Sequence, residues 1–390
     1  MRILFVSSSK DIHEGSSKAL IQILNGLIPL GIKPYIILAH KNSLYDYFIE
    51  NKIECSILNH KYRMSVYPIE NSIKGQILFI PRLLGRLLVN SLAALDLIKI
   101  TKEFKPDIIH SNDSGTAIGF YVARHLRIPH VWHIREYADL DFNWHYYPTR
   151  KIQQLRYKQP LSYTISITKD IQQHHHANKL PTSKVIYDGV LPESSITYTP
   201  NKKAYILYAG RLQKAKGILP LIDAYAIYCK QHPSPLPLYV AGSGLADYTQ
   251  IVKDKISQYG INKNVILLGM RDDIISLYTD AKALVVPSLS EGFGFITAEA
   301  MFSGCLVIGR DTAGTKEQFD NGKEITGEEI GLRYNTQEQL VQHLIDITNN
   351  SSDQYEALIH RSQQVVKQLY ATEQTTKQIY KFYQDIIKTK

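Results

Sequence analysis

Two glutamates eight residues apart, Glu291 and Glu299, lie in the segment PSLSEGFGFITAEAMFSGCLVIG (287–309). The run ALVV precedes it, LVI closes it, and Gly292 and Gly294 lie between. That order predicts a strand, a glycine loop, a helix from about Phe295 and a second strand. One carboxylate then sits in the loop and the other about a turn into the helix. They flank a helix N-terminus, whose unpaired N–H groups and dipole favour a phosphate. Glycines let the backbone approach a ligand closely, and carboxylates accept hydrogen bonds from the hydroxyls of a sugar and a ribose.

A second segment, ILYAGRLQKAKGI (206–218), ends a strand at Gly210 and places Arg211 and Lys216 just beyond it, with Gly217 after the lysine. Lys214 lacks a following glycine. Fixed cations beside a departing nucleoside diphosphate stabilise its growing charge without a metal. His174, His175 and His176 are consecutive. Consecutive helical residues point in different directions and cannot all ligate one ion, so the run reads as solvated. With no DxD-like pair at a strand end, no metal and no cofactor are predicted.

The elements that must hold these groups are βα units. Strand-like runs fall at 3–6, 35–38, 108–110, 130–134, 163–167 and 184–187, then at 204–208, 238–240, 265–268, 283–286 and 306–308. Helical patterns separate them, which points to α/β layers with parallel sheets. A length of 390 residues exceeds one ordinary core, so two domains are expected. The proline- and Ser/Thr-containing stretch 190–204 is the linker, with the boundary near 190–202. The expected domains are 1–190, joined by a C-terminal helix over about 372–390, and 203–371.

Three scattered cysteines without CxxC spacing, and an apolar N-terminal run of only four residues, predict a reducing, cytoplasmic setting without disulfides. Residues 1–190 hold 24 Lys+Arg against 15 Asp+Glu, and the remaining 21 against 21, so the net charge of +9 sits in the first half. That asymmetry suits an anionic membrane surface or a phosphate-bearing acceptor as well as a plain solvated surface. No nucleic-acid signature accompanies it. The stretch Ile77 to Ile100 is broken by Pro81, Arg82, Gly85, Arg86 and Asp96, so it cannot span a bilayer. Leu83, Leu84, Leu87 and Leu88 form one apolar face with Arg82 and Arg86 at its margin. A core helix is the commoner reading of such a face, and an interfacial helix the alternative.

On these segments the chain resembles the retaining GT-B glycosyltransferases of glycosyltransferase family 4, also called group 1. EGFGFITAE matches the family's E-x7-E motif and GRLQKAKG its GR…KG motif. The resemblance implies that Glu291 binds donor-sugar hydroxyls, Glu299 the ribose, and Arg211 and Lys216 the diphosphate. Backbone groups of Gly292, Phe293, Gly294 and Phe295 would meet the sugar or phosphate. LYVAGSG (238–244), with Gly242, is similar to the family's glycine turn without its proline. VILLGMRDD, with Met270 and Arg271, resembles the base-binding strand end, and DTAGTKEQ carries Ala313 in place of one glycine of a glycine-rich turn.

In the first half the family's pair of glycines is Gly15 and Ser16, and Gly15 would offer amides to the diphosphate. In PHVWHIREY (129–137) the family's histidine position falls on Arg135, two residues after His133. Arg135 with Glu136 is the first choice for the active-site role and His133 the second. KPDIIHSND resembles a strand end whose His110, Asn112 and Asp113 would face the acceptor, and VIYDGV has Asp188 where the family has asparagine.

The resemblance implies a GT-B fold, with two Rossmann-like domains facing across a cleft. It implies transfer from a nucleotide-sugar to a saccharide or lipid-linked saccharide, in bacterial surface polysaccharide assembly. The enzyme would be cytoplasmic or peripheral on the inner membrane face. A sugar-nucleotide 2-epimerase of the same fold and a noncatalytic two-lobed binding protein are the competing expectations.

Overall fold

The computed structural model describes residues 1–68 and 78–389, so Ile77 of the amphipathic stretch and Lys390 of the terminal helix lie outside the described residues. The chain divides into two compact units, Met1–Gly189 with Thr372–Lys390, and Val190–Ala371.

The first unit runs β1 (Arg2–Ser7), α1 (Gly15–Leu27), β2 (Lys33–Leu38), α2 (Ser43–Glu50), β3 (Cys55–Ile57), β4 (Val66–Pro68), α3 (Phe79–Phe104) and β5 (Ile108–Ser111). It continues through α4 (Ile118–Leu126), β6 (His130–Ile134), α5 (Asp139–Phe142), β7 (Trp144–Tyr146), α6 (Arg150–Tyr157), β8 (Ser162–Ser166), α7 (Lys169–His174) and β9 (Ser183–Val185). The second unit runs β10 (Lys203–Ala209), α8 (Ile218–Gln231), β11 (Leu238–Ala241), α9 (Ala246–Gln258), β12 (Val265–Gly269), α10 (Ile274–Asp280) and β13 (Ala281–Val286). Then come α11 (Phe295–Phe302), β14 (Val307–Arg310), α12 (Ala313–Thr326), β15 (Leu332–Tyr334), α13 (Gln337–Asn349) and α14 (Glu356–Val365), and α15 (Thr372–Lys388) belongs to the first unit.

All eleven expected strands are present, with ends within two residues of the expected ones, and β3, β4, β7 and β15 are additional. The large sheets are parallel, ordered β3-β2-β1-β5-β6-β8-β9 and β12-β11-β10-β13-β14-β15. Because helices cover both faces, central strands such as Ile3–Val6 are buried on both sides and read as unbroken apolar runs. Each sheet reverses its winding once, between β1 and β5 and between β10 and β13. At such a reversal the loops from adjacent carboxyl ends diverge and leave room for a ligand.

Helix α15 completes the first unit's core. Its Ile379, Phe382, Tyr383 and Ile386 pack with Leu20, Ile23 and Leu24 of α1 and with Ile3 and Phe5 of β1. Burial of each such side chain stabilises by roughly 1.5–3 kcal/mol. The helices approach closely at Gly26, where an added Cβ would lie 2.0 Å from the Thr376 hydroxyl.

Helix α3 behaves as a core helix only in its second half, where Ala93, Leu97 and Phe104 pack on Leu4, Val6 and Ile109. In its first half Leu84, Leu87 and Leu88 are exposed. Among the described residues no helix is long and apolar enough to cross a membrane.

Candidate active site

In the second unit β10 and β13 are neighbours at the winding reversal, so the loops that leave their carboxyl ends meet. The Leu289 amide donates to the Ala215 carbonyl at 2.9 Å. The Lys216 ammonium donates to Glu291 Oε1 at 2.5 Å, and the Ser288 hydroxyl donates to the same oxygen at 2.8 Å. The two predicted segments, 75 residues apart in sequence, thus share one ion pair.

The Glu291 loop is fixed from behind by the start of α12. Thr312 Oγ1 donates to the Ser288 carbonyl at 3.1 Å, and the Gly314 amide to the Glu291 carbonyl at 2.9 Å. The Gln318 amide donates to the carbonyls of Phe293 and Gly294 at 2.7 and 3.0 Å. Ala313, standing at the missing glycine of the turn, adopts φ 48°. That left-handed conformation costs a residue with a Cβ about 1–2 kcal/mol.

Helix α11 starts at Phe295, after Gly294 with φ 89°. In its second turn Glu299 accepts a hydrogen bond from the buried Tyr278 hydroxyl at 3.2 Å. The rings of buried Phe293 and half-buried Phe295 meet edge-on at 5.4 Å. Gly292 is half-buried and Arg211 exposed, with the Arg211 carbonyl accepting from the Tyr208 hydroxyl at 3.0 Å. On the adjacent strands the Gly242 amide donates to the Gly269 carbonyl at 2.7 Å, and Met270 is 70% exposed. Arg271 is engaged by both oxygens of Asp273, at 2.8 and 2.6 Å.

In the first unit Gly15 opens α1 beside the β1 loop. Ser8 Oγ donates to Asp113 Oδ2 at 2.8 Å and Asn112 Nδ2 to the Ser16 carbonyl at 3.0 Å. These bonds join the two loops at the β1–β5 reversal. His110, Asn112 and His133 are fully buried, and Asp113 and Arg135 nearly so.

Arg135 organises the network among them. Its Nε donates to the Asn112 carbonyl at 3.1 Å, one terminal nitrogen pairs with Asp188, and the other donates to His133 Nδ1 at 3.2 Å. Guanidinium only donates, so His133 Nδ1 is an acceptor. His110 Nε2 must therefore carry the hydrogen that bridges the 3.2 Å to the same nitrogen, and His110 Nδ1 accepts from the Tyr383 hydroxyl at 2.6 Å. Burial, and then the Arg135 charge, hold both imidazoles neutral, well below their usual range. The sequence reading left Asp188 without a role; here it is the ion-pair partner of Arg135.

Asp113 and Glu136 form a second buried group. Burial pushes the Asp113 carboxyl up, and burial together with the Asp113 charge pushes Glu136 up to about 8, against the hydrogen bonds Glu136 accepts from Ser114. Folding therefore takes up a proton that the unfolded chain releases near pH 4.5. The folded state binds more protons from there to about pH 8, so stability falls as pH rises through that window. Glu136→Gln, which carries no titrating proton, should flatten this slope. Thermal melts at several pH values check it, and parallel trends for the two proteins would refute it.

The histidine run is a correction. His174 Nε2 bonds to Asp139 Oδ1 at 2.7 Å and His176 is exposed, but His175 is buried and its ring donates to the Glu136 carbonyl at 2.9 Å. Its imidazole is pushed to about 3 by burial. The expectation of a solvated run fails there because His175 packs edge-on to Tyr146 and Tyr157. Among the described residues no group of three or more His, Cys, Asp or Glu could hold a metal ion.

Residues 193–365 match the family described as Glycosyl transferases group 1, and residues 15–194 match Glycosyltransferase Family 4. The chain belongs to glycosyltransferase family 4. Among curated relatives it is 33% identical over 150 residues to an uncharacterized glycosyltransferase of Methanocaldococcus jannaschii, covering 34% of this chain and 37% of that protein. It is 32% identical over 130 residues to a D-inositol 3-phosphate glycosyltransferase of Corynebacterium kroppenstedtii, covering 32% and 29%. The matched segments thus span about a third of these curated relatives. The fold is that of Anabaena HepE, solved in complex with UDP: TM-score 0.77, 19% identity, 99% of this chain and 100% of that one. This family 4 chain has the GT-B pair of parallel Rossmann-like sheets, with helix α15 on α1.

Proposed function

We propose that this chain transfers a sugar, with retention of configuration, from a UDP- or GDP-linked donor bound by the second unit to an acceptor received by the first. The observation that carries the reading is the Lys216–Glu291 pair at the β10–β13 reversal, which sets a phosphate-binding cation beside a hydroxyl-binding carboxylate. HepE, solved with UDP and with UDP-glucose, supports a donor of that class.

In this reading the incoming diphosphate takes the Lys216 ammonium from Glu291 and is also met by Arg211. Glu291 is thereby freed to accept from sugar hydroxyls, while Glu299 holds the ribose. The amides of Gly292, Phe293 and Gly294 face the sugar and phosphate, Phe295 opens the helix behind them, and Gly242, Met270 and Arg271 lie on the base side. As the glycosidic bond breaks, negative charge grows on the leaving diphosphate and the two cations stabilise it in place. Gly15, Arg135, Asn112 and Asp113 serve the first unit's side of the reaction, with His110 and His133 as the buried support of Arg135.

A lipid-linked saccharide at the inner membrane face fits the excess positive charge of residues 1–190. The test is a panel of UDP- and GDP-sugars incubated with and without saccharide acceptors. Acceptor-dependent release of UDP or GDP is the expected result. An isomerised sugar from donor alone would select epimerisation instead, and neither product with any donor would refute transfer.

A further inference from the structure

Tyr383 belongs to the buried side of α15, with Ile379, Phe382 and Ile386, and all four share a core with side chains of α1 and β1. A phenylalanine would fill that space as well, so packing accounts for the ring and leaves the hydroxyl to be explained. The oxygen donates to His110 Nδ1 of β5 at 2.6 Å, and the two rings meet edge-on at 5.9 Å. Both residues are fully buried. A buried tyrosine hydroxyl keeps a hydrogen-bond partner, and here the partner is a ring whose other nitrogen leads toward Arg135.

The bonds beyond His110 have a direction. A neutral imidazole carries its hydrogen on one nitrogen and a lone pair on the other. The Tyr383 hydroxyl occupies the lone pair of His110 Nδ1, which keeps the His110 hydrogen on Nε2. That hydrogen and one from Arg135 both meet His133 Nδ1, each across 3.2 Å. Two donors therefore share a single lone pair, at the long end of the hydrogen-bond range. The hydrogen of His133 then sits on Nε2, which has no hydrogen-bond partner among the described residues and lies 4.0 Å from Asp188 Oδ1. No bond holds it there, so the state of His133 is decided at Nδ1.

Without the Tyr383 hydroxyl the two tautomers of His110 are no longer distinguished at Nδ1. In the alternative tautomer His110 Nε2 is an acceptor, His133 must turn its own hydrogen to Nδ1 to meet it, and the Arg135 nitrogen loses the lone pair it uses. The guanidinium keeps Asp188 and the Asn112 carbonyl, so it stays in place as an ion pair but loses one of the bonds that fix its plane. We propose that Tyr383 is a positioning residue for Arg135, its hydroxyl fixing, through His110 and His133, the acceptor that orients the guanidinium. This role rests on the reading that Arg135 serves the reaction.

Tyr383→Phe tests it in the full chain, at a temperature where circular dichroism shows the variant folded. Nitrogen-15 NMR of histidine-labelled protein needs neither donor nor acceptor. It should show His110 and His133 with their hydrogens on Nε2 in the wild type, and His110 shifted toward Nδ1 in the variant. Sugar transfer should slow by about tenfold in kcat, as expected when a group in the site is displaced, with the donor KM within about twofold of wild type. Tyr380→Phe is the control: it takes a hydroxyl from a half-buried residue of the same helix and should change neither measurement. An unchanged His110 tautomer in Tyr383→Phe, or a changed one with wild-type turnover, would overturn the inference. Arg135→Gln separates the two readings. Slow transfer there beside wild-type turnover in Tyr383→Phe sinks the positioning role alone, whereas wild-type turnover in Arg135→Gln removes the role of Arg135 itself.

Discussion

Lys216→Ala slows sugar transfer by about 100-fold or more, the usual loss when a fixed group that stabilises developing charge is removed. The Lys216 ammonium sits 2.5 Å from Glu291, on a 3-10 turn whose Ala215 carbonyl holds the Leu289 amide. The turn that carries it is therefore fixed before any ligand arrives, and the loss should appear in kcat as well as in kcat/KM. The pair is partly open to solvent, with side-chain exposures of 24% and 12%, so little stability rests on it and the melting temperature should move little. Lys214→Ala is the internal control: this exposed lysine lies two residues away on the same turn, and its loss should leave turnover near the wild-type value. Full activity in Lys216→Ala, or equal losses in both variants, would exclude the assigned role.

Gly217→Ala destabilises the second unit by roughly 2–5 kcal/mol and lowers its melting temperature by about 5–15 °C. Two costs add. Gly217 has φ 68°, where a Cβ is disfavoured, and the added carbon would lie 2.0 Å from the Pro287 carbonyl oxygen. That oxygen opens the Glu291 loop, so relief of the clash must push the two loops apart. Activity should fall with stability, and should stay low even at temperatures where the variant is fully folded. Gly327→Ala separates the two costs, because Gly327 has φ 78° with nothing within 4 Å of the added carbon. It should lose only the backbone share, about 1–2 kcal/mol, and keep its activity. Equal melting losses in the two variants would refute the steric argument.

The contrast between readable and unreadable features follows from where the information resides. Strands such as 3–6, 204–208 and 283–286 are legible because a parallel sheet covered on both faces needs unbroken apolar runs. The additional strands Cys55–Ile57, Val66–Pro68, Trp144–Tyr146 and Leu332–Tyr334 are three residues each, too short to establish a period.

The motif segments are legible because glycine, carboxylate and cation spacing is local. The partnership of Lys216 with Glu291 is not, since it arises from β10 lying beside β13 in the sheet. The same holds for Arg135 and Asp188, 53 residues apart and joined only because β6, β8 and β9 are successive neighbours. His175 misled because burial of one residue in a polar run depends on which aromatic rings close over it. The apolar stretch of α3 was readable as amphipathic, but which face turns outward is decided by how its second half seats on the sheet.

The return of α15 to α1 has a consequence for biosynthesis. Ile379, Phe382, Tyr383 and Ile386 belong to the same core as Ile3 and Phe5, so the portion made first cannot close around its sheet until Thr372–Lys388 has also been made. The intervening Val190–Ala371 portion contains all of its own strands and emerges whole before that. On the ribosome, folding order should therefore run against chain order for this protein, contrary to the usual N-terminal-first sequence. A premature stop shortly before residue 372 would leave a finished second unit tethered to an open, aggregation-prone first one.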